Sequence, residues 1–146
     1  MTTLVDSHCH LDFPELAADI PGALSDMDRH GVSHALCISV TLEDFPKVRA
    51  LAETYANLYA SVGTHPDYPG PPLVTPEQLV ELAAHPKVVA IGETGLDYFR
   101  IKGDTEWQRE RFRTHIRAAR RAGKPLIIHT REAAEDTLRV MAEEGA

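Results

Sequence analysis

Short β-branched runs alternate with longer helical patterns from one end of this 146-residue chain to the other, and that alternation restricts the fold to βαβ units around a parallel sheet. Five strands read as Leu4 to His8, His34 to Val40, Tyr59 to Gly63, Val88 to Glu93 and Leu126 to His129. A helical pattern follows each. The first helix is expected from Leu16 to His30, with Leu16, Ile20, Leu24 and Met27 at three- and four-residue spacing and Gly31 as its stop. The second runs near Glu43 to Ala56, a short one starts near Thr75 or Glu77, and a long one spans Asp104 to Ala122. The Pro/Gly-rich stretch from His65 to Pro72 can be neither helix nor central strand and reads as a loop.

Five units in 146 residues give about 28 residues each, the pitch of a TIM-like (β/α)8 barrel of roughly 250 residues. The expected α/β architecture is therefore a single domain over residues 1–146 that supplies about five βα units of an incomplete barrel, truncated on its C-terminal side. Its outer strands would be open edges that invite pairing with another chain, by self-association or with a second polypeptide. A composition 43% hydrophobic and 25% charged is that of a globular protein, not a disordered one. The longest apolar runs are four residues, such as Val88 to Ile91, against roughly 18 or more for a membrane helix. The N-terminus does not read as a signal peptide, so a cytoplasmic location is expected, with Cys9 and Cys37 as free thiols.

Candidate chemistry gathers at strand ends. His8 and His10 form an HxH pair, and side-chain alternation in a strand projects both imidazoles to one side, where they can share a metal or simply hydrogen-bond on a turn. Glu93 closes an apolar strand between Gly92 and Gly95. An unpaired carboxylate there is costly, and a divalent cation, or two bridged by its two oxygens, is the simplest compensation; a helix cap or ion pair is the alternative. Asp97 either holds a histidine in place or begins a turn. His129 ends the fifth strand, and Arg131, of the same parity, either reaches a substrate phosphate or pairs with Glu132 or Glu135. His65 is a substrate-binding candidate whose direction is obscured by Pro66. His30, His34, His85 and His115 need no functional explanation. No phosphate-binding P-loop, dinucleotide fingerprint, GxSxG elbow or CxxC pair occurs, which leaves metal-assisted chemistry.

SHCHLDF at the start, GTHP after the third strand, GETGLDYF after the fourth and IIHTRE after the fifth together resemble the TatD family of metal-dependent hydrolases and deoxyribonucleases. The resemblance spans the chain and implies a TIM-like barrel with two divalent metal ions (Zn, Mn, Mg, Fe or Ni), in which His8 and His10 hold one ion, Glu93 bridges as the catalytic carboxylate and His129 helps hold the second. His65 would line the substrate site, with DNA as substrate. The family adds a histidine and an aspartate from later strands. A related amidohydrolase or phosphoesterase, or an incomplete chain that needs a partner, are the alternatives to a nuclease.

The net charge of −7 gives no general attraction to phosphate. Charge is unevenly placed, however: residues 100–124 carry nine basic and three acidic side chains. Arg113, Arg117, Arg120 or Arg121, and Lys124 form a stripe on the long helix that is either a phosphate-facing surface or an outer face balanced by Glu106 and Glu110.

Overall fold

In a computed structural model that describes residues 3–68, 74–101 and 103–146, five strands form one parallel sheet in sequential order. They are β1 (Leu4–Cys9), β2 (Val32–Cys37), β3 (Leu58–Val62), β4 (Val88–Asp97) and β5 (Leu126–Arg131). The helices are α1 (Pro14–Ala17), α2 (Ile20–Arg29), α3 (Phe45–Thr54), α4 (Pro76–Ala83), α5 (Glu106–Ala122) and α6 (Ala134–Glu144). Because every strand pairs with its successor and parallel crossovers are right-handed, the helices cover one face of the sheet. This is a half-barrel of five βα units with β1 and β5 at its two edges. Residues 69–72 of the Pro/Gly-rich loop lie outside the described residues.

The core lies between sheet and helices. Leu58, Val62, Val48, Leu79 and Ile91 are fully buried in one cluster, while Leu96, Phe112, Ile116 and Val140 form a second beneath α5 and α6. The alternate sheet residues Leu36, Tyr59 and Val89 line an open cleft with Val5, on the face that a closed barrel would bury.

Three elements depart most from expectation. The single helix from Leu16 to His30 is two helices, because Asp19 caps α2 through its side chain, which accepts from the Gly22 N–H, and Pro21 fits only a first turn. The second strand starts earlier, at Val32, and its regular pairing ends at Cys37. β4 continues four residues beyond Glu93, with an irregularity in its pairing to β5 between Ile91 and Thr94. Gly92 and Gly95 permit this continuation. Their φ angles are +140° and +135°, and a Cβ at Gly95 would lie 2.0 Å from the His129 carbonyl oxygen. Among the described residues no helix is long and apolar enough to cross a membrane.

Candidate metal centre

Parallel strands deliver their C-terminal ends to one rim, and the chemistry-bearing residues collect there. His8 lies near the end of β1 and His10 just beyond it, with ring centroids 5.2 Å apart. The His8 N–H donates to Asp6 Oδ1, and the His10 ring stacks on Phe13 at 4.6 Å. Glu93 is 7% exposed, and its N–H donates to the Ser39 carbonyl, which ties β4 to the segment after β2. His129 on β5 is directly opposite Gly95 on β4, so the missing Cβ lets the two strands close up beside the site.

The two oxygens of Glu93 face different histidines. Oε2 is 3.4 Å from His8 Nε2, whereas Oε1 is 3.5 Å from His129 Nδ1 and 3.9 Å from His65 Nε2. The side chains thus fall into two groups that share one carboxylate, His8–His10–Glu93 and His65–Glu93–His129, each with its ligand atoms within 4.8 Å of one another. Imidazole nitrogens with a carboxylate suit divalent transition metals. The local hydrogen bonding supports the fit: His10 Nδ1 is buried and has no hydrogen-bond partner among the described residues.

Hydrogen bonds fix where the protons sit. The Asp67 N–H donates to His65 Nδ1, so neutral His65 carries its proton on Nε2 and donates to His129 Nδ1 at 3.1 Å. His129 in turn donates from Nε2 to Asp97 Oδ2 at 2.9 Å. With its proton on Nε2, His129 faces the site with the Nδ1 lone pair, which accepts from His65 here and is the atom a carboxylate-held histidine offers to a metal. His65, protonated on its inward nitrogen, is disposed as a donor instead. Burial, then the neighbouring His129, pushes its pKa down to about 4 and keeps the ring neutral.

Asp97 fills both roles that the sequence left open. Oδ2 orients His129, while Oδ1 accepts from the Phe99 and Arg100 N–H groups and begins the turn. Burial alone would raise its pKa, but the His129 contact and these two N–H groups hold it below the usual carboxylate value.

Several supporting residues escaped sequence reasoning. Gln108, fully buried on α5, accepts from the Asp97 N–H and donates to the carbonyls of Asp97 and Pro66. His115, also fully buried, accepts from the Thr64 N–H at 3.0 Å and donates to the Arg111 carbonyl at 2.8 Å. Arg111 donates to the carbonyls of His65 and Tyr68. All three lie on the buried face of α5 and clamp the His65 segment or β4. Their buried-face spacing was visible, but their partners outside α5 lie 11 to 51 residues away in sequence.

The remaining candidates lie outside the two ligand groups. Arg131 is exposed, and its guanidinium lies 4.1 Å over the Phe99 ring instead of pairing with Glu132 or Glu135. His30 bonds the Asp26 carbonyl, His34 contacts Ser33 and His85 contacts Glu53. Cys9 and Cys37 are free thiols with sulfurs 3.9 Å apart. The basic stripe is an interhelical brace. Arg113 meets Glu106, Glu110 and Glu143, Arg117 meets Glu144, Arg121 meets Glu77, and Lys124 caps the carbonyls of Ala83 and Val88.

Known proteins resemble this chain over nearly its whole length. Residues 5–146 match the family described as TatD related DNase. The chain is 40% identical over 144 residues to the uncharacterized metal-dependent hydrolase YcfH of Escherichia coli K12, a match that covers 97% of this chain and 54% of that protein. It is also 40% identical over 152 residues to the uncharacterized metal-dependent hydrolase TatD of Mycobacterium tuberculosis H37Rv, covering 98% and 57%. The crystal structure of YjjV, a TatD homolog from Escherichia coli K12, superposes with a TM-score of 0.87 at 32% identity, covering 97% of this chain and 56% of that one. The chain spans about half the length of the curated relatives it matches.

Proposed function

Since this chain belongs to the TatD related DNase family, we propose that its strand ends hold part of a two-metal centre that hydrolyses phosphodiester bonds in DNA. The observation that carries this reading is the division of Glu93, one oxygen toward His8 and the other toward His129 and His65. His8, His10 and Glu93 would hold one divalent cation, and Glu93 with His129 would begin the second site. Such cations, when bound, supply Lewis-acid polarisation of the phosphate and of the attacking water.

The remaining steps belong to the protein. Asp97 keeps the His129 Nδ1 lone pair directed inward. His65, neutral and protonated on Nε2, would turn that one proton from His129 to a phosphate oxygen beside Glu93 once His129 Nδ1 is given to a cation. Arg131, braced on Phe99, contacts an adjoining phosphate. Phosphate recognition is local, because the basic stripe of α5 is spent on glutamates and carbonyls. The family's further histidine and aspartate would come from polypeptide that pairs against the open edges at β1 and β5. The free thiols accord with a cytoplasmic setting.

The test is to dialyse the protein against chelator, restore Mn or Zn, and measure bound ions alongside hydrolysis of an oligonucleotide and of phosphomonoester, amide and lactone substrates. Metal binding that falls in Glu93→Ala, with cleavage confined to phosphodiesters, is expected. Unchanged metal content in that variant would remove Glu93 from the centre, and cleavage of an amide or lactone instead would replace the nuclease reading.

A further inference from the structure

Beside the metal-type donors lies a cleft of about 350 Å³ whose walls include two aromatic rings that the cation chemistry does not require. Phe13 and Tyr68 line it together with His10, His65, Glu93 and Arg100. Both rings remain substantially in solvent, at 38% and 46% exposure, so core packing does not account for them. Each is braced by a site histidine: Phe13 stacks on His10 with an interplanar angle of 23°, and Tyr68 stands at 90° to His65 with centroids 6.3 Å apart.

The backbone also holds both residues. The Phe13 N–H donates to the His10 carbonyl and the Tyr68 N–H to the His65 carbonyl, while the Tyr68 carbonyl accepts from Arg111. Rings held in advance lose little freedom when a planar ligand stacks on them. Arg100 completes the wall as an exposed guanidinium whose Nη1 lies 3.2 Å from Asp67 Oδ2. The volume falls at the lower end of small-ligand clefts. Aromatic walls, a cation at the rim and a phosphodiester centre alongside together match one nucleotide.

We propose that this cleft seats the nucleobase next to the cleaved phosphodiester, with the base against Phe13 and Tyr68 and its outer phosphate toward Arg100. The inference rests on the nuclease reading of the same site. It requires a base whose faces are free, hence one outside the duplex stack, and it tolerates any base because each has a π face.

The experiment uses a single-stranded oligonucleotide carrying 2-aminopurine at its terminal position, titrated with the protein in a calcium buffer and read by emission and by anisotropy. Saturable quenching is expected, with an abasic residue at the same position weakening binding about tenfold, equivalent to about 1.4 kcal/mol of lost stacking. Phe13→Leu and Tyr68→Leu, which keep apolar bulk and remove the π face, should each weaken binding severalfold and reduce the quenching. Binding that ignores the abasic residue and both leucine variants would overturn the base seat while leaving the nuclease reading intact. If no oligonucleotide binds at all, the nuclease reading fails and this inference with it.

Discussion

Replacing His115 by leucine should remove a pH dependence of stability as well as two hydrogen bonds. The ring is fully buried, accepts from the Thr64 N–H and donates to the Arg111 carbonyl, so it must stay neutral to keep both bonds. Burial, as the largest cause, lowers its pKa from 6.5 to about 4. The sign follows: between these values the unfolded chain binds a proton that the folded chain refuses. The stability from keeping this ring neutral is therefore complete above pH 6.5 and is lost as pH falls toward 4. The gap bounds that loss at about 3 kcal/mol. At pH 7.5 His115→Leu should be less stable by about 2–3 kcal/mol, because the Thr64 N–H and Arg111 carbonyl lose their partner. Urea unfolding of both proteins without metal, at intervals from pH 7.5 to 4.5, cancels the titrations they share. The stability difference should shrink steadily toward acid. A difference that stays constant across this range would refute the buried neutral histidine.

Asp97→Asn, which can still accept from the Phe99 and Arg100 N–H groups, should leave the fold intact and weaken cation binding about 10–100-fold by titration calorimetry, since His129 loses the carboxylate that orients it. Gly95→Ala should cost more than ~3 kcal/mol in thermal unfolding, because its Cβ has no room against the His129 carbonyl and φ is +135°; a loss below ~1 kcal/mol would show that β4 and β5 approach less closely. Arg113→Ala should cost about 1 kcal/mol at low salt and less at high salt, with cation and oligonucleotide binding unchanged, as expected of a brace between α5 and α6. Weaker oligonucleotide binding in that variant would return the stripe to the substrate surface.

The strand-end residues were readable because a parallel sheet in sequential order sends every strand's C-terminal end to one rim. Parity then puts His8 and His10 on one side without further information. Glu93 and His129 could be found in the same way, each as a polar residue closing an apolar run. The course of β4 past Glu93 was hidden because Gly92 and Gly95 resemble strand breaks, whereas here they allow an irregular pairing and a close approach to β5. The division of the first helix was signalled by Asp19 and Pro21 but masked by an apolar period that runs through the break. His65 illustrates a deeper limit. Its place beside Glu93 depends on Gln108, Arg111 and His115, polar residues on a helix more than 40 positions later, and helical periodicity says only that such positions face inward.

The account stands on Glu93 joining two sets of histidines around bound cations. Crystals of this chain soaked in Mn or Zn, with anomalous diffraction recorded at the metal edge, test this directly. The prediction is anomalous density against Glu93 on its His8–His10 side, on its His129 side, or on both, and its loss in Glu93→Ala. Density seated away from all four side chains, or unchanged in the variant, would contradict the metal centre.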